Sequence, residues 1–216
     1  MRGAAEKPDI VLWLGDYAYK MGYIERYSLP DPSFMDTEET IAAMASIDAP
    51  MGSYAILGNH DWWWNGLEVL TLLTQTHIQP LVDDAILATH PETGAALWIA
   101  GLDDVSAPRP SDPEAVLGRT DQSAPVVMLS HSPDIWPRIP ASVPITFAGH
   151  THCGQIALPF IQRAAAPIRS KDLVCGLTAD GPRQLYVSSG VGVGGVPARF
   201  LAPPEIVIVS FVPAQP

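Results

Sequence analysis

The chain has 216 residues, 47% of them hydrophobic and only 16% charged, which excludes a disordered protein and allows a substantial core. Its formal net charge is −11, and between Arg26 and Arg109 there are twelve Asp and Glu and no Lys or Arg. That surface argues against general nucleic-acid binding and suits divalent cations.

Residues 10–14, Ile-Val-Leu-Trp-Leu, are a continuous apolar run, the pattern of a strand buried on both faces. It ends in Gly15-Asp16, placing a carboxylate at the carboxyl edge of a sheet, where open α/β sheets bind ligands. The bland alternative for Asp16 is a turn residue. Asp36, with Glu39 three residues on, predicts a capped helix over residues 40–45. Residues 54–57 predict a second buried strand, running into Gly58-Asn59-His60-Asp61 and then Trp62, Trp63 and Trp64. Residues 67–73 read as helical and 77–81 as a short strand. Residues 86–90 and 96–100 predict a hairpin leading to Asp103-Asp104. A Pro- and Asp-rich stretch over 106–122 reads as a loop with a short helix.

A strand over 125–129 ends at Ser130-His131, and one over 144–148 ends at Gly149-His150-Thr151-His152. On an extended segment, side chains at i and i+2 point the same way, so the pattern predicts that His150 and His152 converge. An irregular insertion over 159–172 carries the basic cluster Arg163, Arg169 and Lys171. Residues 173–177 and 184–188 predict a hairpin, 189–195 a Gly-rich turn, and 206–211 a closing strand. Two cysteines, Cys153 and Cys175, are too few for a disulfide framework and leave a single bridge open.

Four predicted strands thus end in polar groups: Asp16; Asn59, His60 and Asp61; His131; and His150 with His152. Carboxylate, amide oxygen and imidazole together suit Mn, Fe or Zn and need no thiolate. Two ions about 3.5–4 Å apart would clamp a phosphoryl group. The tryptophans divide evenly between an apolar wall for a lipid-like substrate and ordinary packing. Arg199 reads as a contact for substrate phosphate or, preferably, as the partner of a carboxylate such as Glu205. The basic cluster faces anionic lipid headgroups or is a solvated loop. Asp103 and Asp104 read as loop carboxylates, His77 and His90 as structural, and Cys153 as filler.

In order, Gly15-Asp16, Gly58-Asn59-His60-Asp61, His131 and Gly149-His150-Thr151-His152 resemble the blocks of calcineurin-like metallophosphoesterases. The run from Gly149 through Cys153-Gly154-Gln155-Ile156 is similar to the membrane-associated bacterial branch. So are Tyr186-Val187-Ser188-Ser189-Gly190-Val191-Gly192, Pro197-Ala198-Arg199-Phe200 and Pro203-Pro204-Glu205.

The resemblance implies an α/β fold, a two-sheet β-sandwich flanked by helices, and hydrolysis of a phosphomonoester or phosphodiester by a hydroxide held between two ions. It implies Asp16 as the bridging carboxylate, with Asn59, His131 and His150 completing one metal site and His152 belonging to the other. It implies His60 as the group acting on the phosphoryl oxygen or leaving group, oriented by Asp61, with Trp62, Trp63 and Arg199 as candidate substrate contacts. It points to a phospholipid-like or nucleotide-sugar-lipid substrate and to peripheral membrane contact.

The family's first strand, ending in Asp-x-His, has no counterpart in residues 1–216, so the expectation is one N-terminally incomplete domain. Such a chain holds one complete metal site and half of another, and is weakly active or inactive. The rival expectations are a non-catalytic one-metal remnant and a nuclease of the same fold.

Overall fold

The computed structural model describes residues 7–18, 36–158, 166–195 and 197–212. Among them nine strands lie in two sheets. The first is parallel and three-stranded: β1 (Val11–Trp13), β2 (Ser53–Ala55) and β3 (Ile78–Pro80). The second contains β4 (Asp84–Thr89), β5 (Ala96–Gly101), β6 (Val126–Ser130), β7 (Ile145–Ala148), β8 (Gly176–Asp180) and β9 (Arg183–Val187), in the spatial order β4-β5-β6-β7-β9-β8. Its central strands β5, β6, β7 and β9 are parallel, and an antiparallel hairpin closes each edge.

Side chains alternate across each strand, and that alternation sorts the apolar residues into layers. Tyr54 and Ile56 face one way and meet Leu81, Ile99, Val127, Leu129 and Phe147, filling the space between the sheets. Their neighbours point the other way. Ala55 and Leu57 pack with Ile41, Val69 and Leu73 of the helices over the first sheet. Ala100, Met128, Leu185 and Val187 pack with Trp136, Ile139 and Val174 beyond the second. The architecture is the helix-flanked two-sheet sandwich that the resemblance implied.

Helix α1 (Thr37–Met44) starts as its sequence predicts: the Asp36 carboxylate accepts the Glu39 N–H at 2.8 Å. Helix α2 (Asn59–Thr74) begins well before the predicted residue 67. Asn65 breaks it with an extended backbone (φ −170°), and its side-chain oxygen accepts the Glu68 N–H, starting the second half anew. Helix α3 (Pro113–Leu117) is capped by Asp112.

Two predicted strands differ. The late hairpin begins at Gly176, because Leu173 and Val174 are buried in the outer core instead of pairing. Residues 206–211 are not a strand. Ile206, Ile208, Val209 and Phe211 are exposed, and a strand requires a ladder partner, which this segment lacks among the described residues.

Gly101 marks how closely the sheets meet. A Cβ there would stand 2.8 Å from Ile56 Cγ2 and overlap Leu81. Gly101→Ala should therefore destabilise the protein by about 1–3 kcal/mol through overpacking. Gly118→Ala is the control, since its added methyl meets only two carbonyls at 3.4 Å. Thermal unfolding of the pair measures the difference, and equal midpoints would contradict the close approach.

Candidate metal centre

β1, β2, β6 and β7 deliver their following residues to one edge of the sandwich, and His131 stands at the centre of what they bring. Its Nδ1 lies 2.6 Å from the Leu14 carbonyl. A carbonyl only accepts, so Nδ1 carries the proton and Nε2 of the neutral ring is a lone pair. Around Nε2 stand Asp16 Oδ2 at 3.1 Å, Asn59 Oδ1 at 3.1 Å and His150 Nδ1 at 3.2 Å. His150 Nε2 faces the Pro167 carbonyl at 3.3 Å, so its Nδ1 is a lone pair as well. Four electron-pair donors therefore converge with no proton among them. One ligand atom each from Asp16, His131 and His150 lies within 4.8 Å of the others. A carboxylate, an amide oxygen and two imidazoles, each imidazole steadied by a carbonyl behind it, fit a divalent cation.

In the ion-free chain a proton takes that place. Burial alone would depress His131, yet the Asp16 carboxylate and its hydrogen bond outweigh burial and push the imidazole up to about 9. Burial likewise raises Asp16, but the charged His131 outweighs it and holds the carboxyl down at about 2. Burial and the adjacent His131 keep His150 below its ordinary value.

Two glycines admit these groups. Gly15 has φ 94°, and a Cβ on it would stand 2.8 Å from His131 Nδ1. A Cβ on Gly58 would overlap the Asp16 carboxylate and lie 2.6 Å from His131 Cε1.

Asp61 has a different role from the expected one. It is fully buried, and it accepts four backbone N–H groups at 2.8 Å: Tyr17 and Ala18 on Oδ1, Asp16 and Gly58 on Oδ2. Those bonds fill its lone-pair sites, so it staples the Asp16 loop to the start of α2 instead of orienting His60. Burial pushes its carboxyl up to about 6 against these donors. His60 is positioned by its backbone N–H, which donates to Asp16 Oδ1 at 2.9 Å, and its ring meets Trp63 edge-on at 5.0 Å.

His150 and His152 are not carried on an extended segment. Their φ values are 64° and 50°, and His152 opens a 3₁₀ turn, His152–Gly154. His152 stands apart from the three-residue group. Its Nδ1 lies 2.8 Å from Gln155 Oε1, and Gln155 also grips the Gly194 peptide at 2.7 and 3.0 Å. An amide oxygen on Nδ1–H leaves Nε2 of His152 as the lone pair.

The remaining candidates separate clearly. Arg199 turns to backbone carbonyls, Ser189 at 2.7 Å, Gly192 at 2.8 Å and Ala202 at 3.1 Å, while the Glu205 carboxylate takes the Ser189 N–H. Glu205 also acts on the Arg199 guanidinium electrostatically, as the expected pairing requires, but the hydrogen bonds of Arg199 go to the backbone. Trp62 packs with the helix cluster and donates to Asp103 at 2.7 Å, whereas Trp63 is 62% exposed. Burial pushes Asp103 up to about 6. Cys153 is bonded to Cys175 and is not filler. Lys171 Nζ donates to the Ala166 carbonyl, and Arg163 lies outside the described residues. His90 accepts two loop N–H groups, a structural role, and His77 faces the Ile47 carbonyl. Sequence reasoning missed the work of Gln155, although it sits in the quoted motif. It could not see the Leu14 and Pro167 carbonyls, which every residue type offers.

The family model described as Calcineurin-like phosphoesterase matches residues 2–154. The chain is 30% identical over 205 residues to the uncharacterized metallophosphoesterase YkuE of Bacillus subtilis (strain 168), covering 94% of this chain and 68% of that protein. It is 30% identical over 217 residues to the phosphodiesterase YaeI of Escherichia coli (strain K12), covering 97% and 73%. It is 24% identical over 257 residues to the UDP-2,3-diacylglucosamine pyrophosphatase LpxG of Chlamydia trachomatis serovar D, covering 94% and 73%.

Two measurements test this geometry. Asp61→Asn turns an NH₂ group against backbone donors and should cost about 3 kcal/mol or more, roughly 6–12 °C in the unfolding midpoint. A midpoint within 1–2 °C of wild type, on the order of experimental error, would remove Asp61 as the staple. His131 holds its proton up to about pH 9, and an ion must displace it. Mn²⁺ affinity should therefore rise with pH, by up to about tenfold per unit below that value, releasing about one proton per ion. Titration calorimetry in buffers of different ionisation enthalpy reads this directly; a pH-independent affinity would exclude His131 as a ligand.

Proposed function

We propose, from the premise that this chain belongs to the calcineurin-like phosphoesterase family and is a phosphoric ester hydrolase, that its substrate is a phospholipid-like or nucleotide-sugar-lipid phosphodiester. The observation that carries the reading is the convergence of Asp16, Asn59, His131 and His150 on one point with their lone pairs inward. These four would hold one divalent ion of the Mn, Fe or Zn class. Asp16 and His152 would contribute to a second. The chemistry such a centre supplies is polarisation of a phosphoryl oxygen and acidification of water.

The chain's own residues do the rest. His60, tied through its backbone to the Asp16 carboxylate, protonates the departing alkoxide. Trp63, 62% exposed and edge-on to the His60 ring at 5.0 Å, forms an apolar rim beside His60. Exposed Ile156 and Phe200, joined by a β-bridge, form another close behind the His152 turn. Apolar rims around a polar centre suit acyl chains and support a lipid-like substrate and peripheral contact with a membrane surface. The Chlamydia relative is named a UDP-2,3-diacylglucosamine pyrophosphatase, which supports a nucleotide-sugar lipid as substrate; on such a substrate the leaving group is a phosphate and not an alkoxide. The acidic surface, without Lys or Arg between Arg26 and Arg109, disfavours a nuclease.

The Mn²⁺-loaded chain should hydrolyse bis(nitrophenyl) phosphate and a short-chain phospholipid while leaving single-stranded DNA intact. His60→Ala should retain its ion and lose about 10²–10⁴ in kcat on alkyl leaving groups, and much less on nitrophenolate. Ion loss in His60→Ala would make His60 a ligand. An ion-loaded wild type with no turnover on any ester would leave a one-metal binder, and degradation of the DNA would return the nuclease.

A further inference from the structure

The loop that carries two of the histidines is backbone-strained. Within residues 149–155, His150, His152, Cys153 and Gln155 all have φ between 49° and 64°. Residues with a Cβ enter that region at a cost, and a cluster of them persists only where the surroundings over-determine it. Two neighbours do so here. On one side Gln155 is locked to the Gly194 peptide. On the other stands the segment 166–175, anchored by Ala166, Ile168, Leu173 and Val174 in the outer core.

That segment touches the histidine loop at three successive places. The Pro167 carbonyl faces His150 Nε2, the Val174 carbonyl accepts the Thr151 hydroxyl at 2.6 Å, and Cys175 is covalently joined to Cys153. Cys153 is the residue directly after His152. Of the three ties the disulfide is the one that cannot exchange with water.

We propose that the Cys153–Cys175 bridge is a positioning element of the metal centre, and that two-electron reduction of it releases the His150–His152 loop and weakens ion binding. The inference rests on the metal reading given above. Cys153 is buried and Cys175 exposed, which sets the direction of the reaction. A reductant thiolate attacks Sγ of Cys175, and the protein Sγ–Sγ bond breaks with its electron pair on Cys153, which takes up a proton. The reductant's second thiol then resolves the mixed disulfide, leaving two protein thiols and the oxidised reductant. Freed of the bridge, residues 150–155 relax toward ordinary φ values, and the two imidazoles lose their aim. An oxidising compartment keeps such a bridge closed and a glutathione-buffered one opens it, so the centre is coupled to the redox state of its surroundings.

The test compares the folded wild-type chain before and after reduction by a water-soluble phosphine. The phosphine takes oxygen from water to become its oxide and, unlike a dithiol, does not chelate the ion. Mn²⁺ affinity should fall tenfold or more on reduction and return on reoxidation, while far-ultraviolet circular dichroism stays native. In the ion-free chain, amide exchange over residues 150–155 should accelerate at least tenfold. A Cys153→Ser/Cys175→Ser variant should show the weak affinity with or without phosphine. Unchanged Mn²⁺ affinity and unchanged loop exchange on reduction would overturn the proposal while leaving the metal site standing. So would an equal response to phosphine in the double variant. An oxidised chain that binds no Mn²⁺ would overturn the metal reading, and this inference with it.

Discussion

The Leu14 carbonyl stands 2.6 Å from His131 Nδ1, and much of the site follows from that contact. By claiming the ring's proton it turns Nε2 into a bare electron pair, and the groups around Nε2 are also acceptors. Such an arrangement is stable only with positive charge in its midst, whether a proton or a cation. The contact also crosses the molecule. Leu14 directly follows the first strand of the three-stranded sheet, and His131 follows a central strand of the six-stranded one.

The candidate metal centre therefore straddles the seam between the sheets. Asp16 and Asn59 come from one side, and His131 and His150 from the other. The apolar layer that includes Ile56, Leu81, Ile99 and Leu129 sets the distance across which these ligands meet. An ion bound there would favour the closed sandwich over any state in which the sheets part, so ion binding and fold stability are linked. The glycines at 15 and 58 serve the same closure, since side chains there would collide with the ligands themselves.

The two walls of the site are built by different means. On the side of the first sheet, Asp61 gathers four N–H groups into one buried carboxylate and so fixes the Asp16 loop and the first turn of α2 together. On the other side the backbone is bent into left-handed conformations and restrained from outside by Gln155, Arg199 and the disulfide. Between them, exposed Trp63 stands against His60, an apolar group beside a polar centre.

The continuous apolar runs at 10–14, 54–57, 125–129 and 144–148, each followed by Gly or Ser and then a polar group, were sufficient to locate four strands and the edge to which they bring Asp16, Asn59, His60, Asp61, His131 and His150 with His152. β2 and β6 are buried as such runs predict, whereas β1, at the edge of its sheet, is only partly buried. Local pattern encodes these strands because short β-branched and aromatic runs bounded by glycine favour strands. Tertiary structure decided the rest. Asp61 beside His60 in sequence looked like its orienter, but its four partners include three residues more than forty positions away. His150 and His152 looked like neighbours on a pleat, but contacts with residues 167, 174, 175 and 194 fold the loop otherwise. Residues 206–211 have the composition of a strand, yet a strand exists only where another offers a ladder. Pairing of distant backbone groups leaves no mark on local composition, and for that reason these features appear only when the chain is folded.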